Sequence, residues 1–121
     1  MAFRVDHRHL AGEKYRTVRD CPDPLTRAVI ENYRIWGRTI TWQDRWGPKP
    51  DPESISSVLF DTVAIYLAFG DDLLEMEELG VRVSDSGHTV IDAGARTIRC
   101  ATRWRDLPAF EDLLVERLMR G

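Results

Sequence analysis

Residues 96–105 read Arg96-Thr97-Ile98-Arg99-Cys100-Ala101-Thr102-Arg103-Trp104-Arg105, and the fold turns on this stretch. Side chains alternate between the two faces of a β-strand, so a period of two puts Ile98, Cys100 and Trp104 on one side. Thr97, Arg99, Ala101, Arg103 and Arg105 take the other. The expectation is a strand with aliphatic, thiol and indole groups inward and the guanidiniums of Arg99, Arg103 and Arg105 outward. Just upstream, residues 81–84 and 88–92 read as short strands flanking Asp85-Ser86-Gly87, a turn-forming cluster that predicts a hairpin. Just downstream, Pro108 opens a terminal helix with Phe110, Leu113, Leu114 and Leu118 inward and Arg117 and Arg120 near the end where the helix dipole favours positive charge.

Further toward the amino terminus, Asp23-Pro24 and Asp51-Pro52 repeat one signature, a capping aspartate followed by proline at the first helical position. The first predicts a helix with Leu25, Ala28, Val29, Tyr33 and Trp36 on one face and Gly37 as its stop. The second predicts a helix carrying Ile55, Val58, Leu59, Val63, Tyr66 and Leu67 almost to Gly70. Apolar residues cover most of its circumference, which marks it as the buried central element. Residues 71–79 follow as a short helix capped by Asp71 and stopped by Gly80. Residues 13–19, around Tyr15, and 38–43, where Ile40 and Trp42 alternate with Thr39 and Thr41, read as strands. The order is β-α-β-α-α-β-β-β-α. That is an α+β fold, a small, mostly antiparallel sheet packed against about three to four helices in a single pair of layers.

A length of 121 residues fits one hydrophobic core, so residues 1–121 read as a single domain with the proline-rich stretch 47–52 as a stiff internal loop. The chain is 43% hydrophobic and 31% charged, which places it with globular proteins rather than disordered or membrane-spanning ones. Its amino terminus has no apolar leader core, so the expected location is cytoplasmic. Cys21 and Cys100, without a CxxC neighbour, are expected reduced and packed. The net charge of −3 is unevenly spread: residues 51–79 contain eight acidic and no basic side chains, while residues 1–50 carry ten basic against six acidic.

No spelling for catalysis stands out. Asp6-His7-Arg8-His9 places two histidines on one side of a strand, but a transition-metal site needs three or four ligands, and the flanking arginines repel a cation. Asp71 and Glu75 have the i, i+4 spacing of a carboxylate pair, yet acidic residues in a first helical turn are stabilised by the dipole alone. Ser84, Asp85 and His88 are close in sequence but sit in a tight turn, a poor way to aim one side chain at another. There is no P-loop, GxGxxG or GxSxG, and no cofactor is expected.

What remains points to contact with other molecules. Arg99, Arg103 and Arg105 form one candidate surface, and Asp71, Asp72 and Glu75 form its acidic counterpart. Arg45 and Trp46, at the mouth of the proline loop, are the leading anchor, because Trp and Arg are enriched at binding hot spots. The function expected is a non-enzymatic interaction module, a small subunit, adaptor or assembly component whose partner is another protein or a second copy of itself. A small enzyme or ligand-binding domain is the alternative, with a pocket between central helix and sheet bearing Tyr66, His88, Asp92 and Arg99. Nucleic-acid binding by the arginine face ranks lower, because phosphate binding normally shows as a basic excess. A membrane is not expected as a partner.

Overall fold

The structure, a computed structural model, describes residues 9–41, 49–59 and 61–120, so what was expected of His7, Trp42, Arg45 and Trp46 lies outside it. Among the described residues the chain forms four helices and two small antiparallel sheets, an α+β fold. These residues gather into two compact units, 61–107 in one and 9–59 with 108–120 in the other.

In the second of these, β1 (His9–Ala11) is followed by α1 (Gly12–Arg19), where a strand was expected. Tyr15 and Val18, three residues apart, are buried on one side of α1, while Glu13 sits in its first turn and Arg16 and Arg19 in its last, as the dipole favours. α2 (Pro24–Thr39) begins as the Asp23-Pro24 signature requires, the Asp23 carboxylate accepting the amides of Leu25 at 2.9 Å and Thr26 at 3.1 Å. It does not stop at Gly37. The helix continues to Thr39, which corrects the strand expected from residue 38. Gly37 serves instead as a point of close approach, since a Cβ there would lie 2.7 Å from Pro52 Cγ.

The same signature at Asp51-Pro52 starts no helix. Asp51 accepts the Ser54 hydroxyl at 2.6 Å and the Glu53 amide at 3.0 Å, closing a turn, and these bonds hold its carboxyl below the usual carboxylate range. The chain then enters β2 (Ile55–Val58), antiparallel to β1 with His9 opposite Val58, and the Ser56 hydroxyl takes the amide of Leu10 at 2.8 Å. The expected central helix over 53–70 is therefore a turn and a strand followed by the short α3 (Thr62–Leu67), which lies in the other unit. Ile55, Ser56, Ser57 and Val58 are β-branched or small polar residues, and an available strand partner outweighs their apolar periodicity. α4 (Leu107–Met119) forms as expected. The Thr26 hydroxyl donates to the Leu118 carbonyl at 2.8 Å, and Lys14 reaches Asp112 at 2.7 Å and Glu111 at 3.1 Å. The core of the unit is Leu10, Tyr15, Val18 and Ile30, with Tyr33, Leu59, Val115 and Leu118 packed on it.

Tyr33 brings a hydroxyl into that core with no hydrogen-bond partner. Burial, reinforced by Tyr15 and Asp51, pushes its pKa from 10.0 up to about 12. A raised folded-state value means the native state keeps the proton longer than the unfolded chain. The associated stability is therefore intact below about pH 10 and is lost as pH climbs toward 12. Tyr33→Phe removes an unsatisfied group at little change in shape, so the variant is expected to be more stable by ~1 kcal/mol at neutral pH and to lose less stability above pH 10. Urea titrations at pH 7 and in the alkaline range check both points.

In the unit of residues 61–107, β3 (Leu74–Val83), β4 (Thr89–Ile91) and β5 (Thr97–Trp104) form an antiparallel sheet in the order β4-β3-β5. β3 replaces the helix expected over 71–79. Its long-range partner decides this, for Leu74 lies opposite Trp104 and Met76 opposite Ala101, and Leu74, Ala101 and Cys100 are fully buried. The hairpin between β3 and β4 turns where the sequence requires, Gly87 adopting φ +80° and Ser84 bonding back to His88 at 2.8 Å.

Candidate functional site

β5 is a strand, but its period of two does not persist. The ladder pairs Met76 with Ala101 and Glu75 with Arg103, leaving Thr102 as an extra, bulged residue. Arg99 faces Glu78 and Arg103 faces Glu75, and positions 78 and 75 of an unbroken strand point to opposite sides. Arg99 therefore lies on the side of the sheet opposite Arg103, and Ala101, on the side of Arg99, is fully buried rather than outward. A bulge is set by the partner strand's side-chain demands, so no alternation count within 96–105 could reveal it.

Each of these arginines stands beside the acidic stretch. Arg99 meets Asp71 at 2.6 Å, Arg103 grips Glu75 at 2.7 Å, and Arg105 donates to the Asp72 carbonyl at 3.1 Å. The two candidate charged surfaces are thus in contact within one chain. Such exposed pairs contribute roughly 0.2–1 kcal/mol each. Of the polar groups assigned to a ligand pocket, Tyr66 bonds Asp72, Asp92 pairs with Arg82 at 2.8 Å, and His88 lies in the turn with Nδ1 3.0 Å from Ser86 Oγ. Backbone bonding from Gly94, followed by the Arg82 guanidinium, holds the Asp92 carboxyl below its ordinary range. His9 Nδ1 lies 2.6 Å from the Ser56 carbonyl. No cluster of three or more metal-ligating side chains occurs among the described residues.

The feature missed by sequence reading is the outer side of α2. Leu25, Ala28, Val29, Tyr33 and Trp36 were expected on one face; Tyr33 packs on the core, but the buried positions of the helix are Thr26, Ile30 and Gly37, with Ile30 only 4% exposed. Leu25 is 66%, Val29 47% and Ile35 48% exposed. At 100° per residue, Ile35, Ala28, Thr39, Asn32, Leu25, Trp36 and Val29 occupy a continuous arc of about 120° that contains no charged residue. Trp36 is half-buried and stacked on Tyr33, ring centroids 5.7 Å apart, which fixes the indole at the edge of this arc. α2 is apolar on two sides, so its periodicity alone could not say which side enters the core.

An open groove of about 610 Å³ adjoins this face, lined by Arg19, Cys21, Arg27, Ile30, Glu31 and Arg34 among others. Arg19 is clasped by Asp20 at 2.7 and 2.8 Å, and Arg34 by Glu53 at 2.6 and 3.0 Å. These guanidiniums hold the Asp20 and Glu53 carboxyls below their usual range. Cys21 and Cys100 are both buried, as packed side chains would be. No helix among the described residues is long and apolar enough to cross a membrane. No protein-family model matches this chain, and no curated protein matches it.

Proposed function

We propose that this chain is a protein-docking module, a small subunit or adaptor of a larger cytoplasmic assembly, and that it docks through the outward face of α2. One observation carries this reading: three large aliphatic side chains, Leu25, Val29 and Ile35, stand about half or more exposed on a charge-free helical arc. Contiguous apolar surface of this kind is uncommon on monomeric proteins and marks interaction sites. Covering it would contribute on the order of 1–2 kcal/mol per aliphatic side chain before the cost of association is met. Glu31, about 40° beyond Ile35, and Arg38 just past it supply a polar rim along one flank of the arc. The hairpin carries a smaller exposed pair, Val83 and Ile91, without a comparable continuous arc.

A photo-activated cross-linking residue placed at Val29 in cells tests the reading, with the exposed Thr17 of α1 as the control position. Discrete protein adducts are expected from position 29 and not from 17. An absence of adducts at 29 would sink it.

A further inference from the structure

We infer that the groove between the end of α1 and the flank of α2 is a binding site for an aromatic carboxylate, a role separate from docking through the aliphatic arc. One wall comes from Arg19, Asp20 and the segment that follows α1, the other from Arg27, Glu31 and Arg34 of α2. Its volume of about 610 Å³ lies within the range of small-molecule sites, and the buried Cys21 and Ile30 give it apolar lining. Arg27 and Arg34 are seven residues apart, so they stand about 20° from one another around the helix and about 10 Å along it, and both reach the same cleft.

Hydrogen bonding decides what each guanidinium still has to give. Arg19 commits Nε and Nη2 to the Asp20 carboxylate and Nη1 to the Glu53 carbonyl at 2.7 Å. Arg34 commits Nε and Nη2 to the Glu53 carboxylate, while its Nη1 lies 3.9 Å from Glu31. With their edges occupied and their planes fixed, these two offer a ligand mainly their flat faces, which stack on aromatic rings. The pyrrolidine rings of Pro22 and Pro24 add apolar contact along the same cleft. Arg27 differs. It is exposed and has no carboxylate partner among the described residues, Glu31 being matched by Arg38 at 3.3 Å. Its donor fork is open, and a carboxylate meets such a fork with two parallel hydrogen bonds. One open fork balances one negative charge, so a monocarboxylate fits better than a phosphate dianion.

Titration of the full chain with naphthoate, followed by amide chemical shifts, provides the test. Saturable shifts are expected within residues 19–34. The neutral analogue naphthalenemethanol should bind about tenfold more weakly or worse, and the saturated acid cyclohexanecarboxylate about threefold more weakly or worse. Arg27→Gln, at an exposed helical position that tolerates Gln, should weaken naphthoate by about tenfold or more and leave the neutral analogue unchanged. Arg34→Lys keeps the charge and loses the flat face, so it should narrow the gap between the aromatic and the saturated acid. Absence of saturable shifts overturns the inference, as does undiminished naphthoate binding by Arg27→Gln. Equal affinity for the aromatic and saturated acids, or a gap that stays as wide in Arg34→Lys, overturns the stacking on which the aromatic assignment stands. None of these outcomes bears on cross-linking from position 29, so the docking reading stands or falls separately.

Discussion

Gly80→Ala is expected to destabilise the unit of residues 61–107 by about 3 kcal/mol or more, enough to remove much of the stability of a small domain. Gly80 lies where β3 leaves its pairing with β5 and takes up β4: its carbonyl accepts the Asp92 amide at 2.9 Å, and the next amide, that of Val81, donates to Arg96 at 3.2 Å. An added Cβ would sit 2.2 Å from the Asp92 carbonyl oxygen and 3.3 Å from that of Ala95. Both are backbone atoms. The Ala95 amide bonds the Asp92 carbonyl at 3.0 Å, and the Asp92 side chain takes the Gly94 amide at 2.9 Å, so the turn cannot easily swing away. The sign alone is informative, because glycine-to-alanine changes at unstrained sites usually stabilise by roughly 0.4–1 kcal/mol through the unfolded chain. Urea denaturation followed by circular dichroism reads the effect, and an unchanged midpoint would mean that β3, β4 and the 92–95 turn do not meet in this way.

Gly80 also shows where the sequence was legible and where it was not. As a chain breaker it read naturally as the end of a helix over 71–79. Its actual role, a backbone approach to Asp92, depends on a residue twelve positions away. Part of the short-range chemistry was readable: the Asp23 cap, the Ser84–His88 turn with its left-handed Gly87, the extended 97–104 segment and the terminal helix all follow from neighbouring residues, whereas α1 was expected as a strand. Asp23-Pro24 and Asp51-Pro52 mark the boundary of such reading. The two spellings are alike, yet Ser54 draws the second aspartate into a turn, and β1, more than forty residues distant, recruits residues 55–58 as a strand.

The candidate site was hidden for a related reason. Leu25, Val29 and Trp36 are as apolar as Ile30 and Tyr33, and only the packing of Leu10, Tyr15, Val18, Val115 and Leu118 decides which set is covered. The expected arginine surface fails through non-local pairing as well, since the extra residue at Thr102 exists only relative to β3. In the acidic stretch only Leu74 and Met76 alternate as a strand would, and their pairing with Trp104 and Ala101 of β5 seats β3 in the sheet.

Docking through α2 requires its aliphatic arc to face solvent, and thiol labelling reads this directly. Val29→Cys and Ile30→Cys place a reactive group on adjacent residues about 100° apart around one helix, the first exposed and the second buried. Cys21 and Cys100 are buried and contribute only a slow background. A thiol at position 29 is open to reagent in the folded chain, whereas one at 30 reacts only after local opening, whose free energy slows it by roughly a hundredfold or more. Fast modification at 29 and slow modification at 30, measured at low protein concentration under native conditions, is the predicted result. Protection at 29 with ready modification at 30 would contradict it, placing the aliphatic arc in the core.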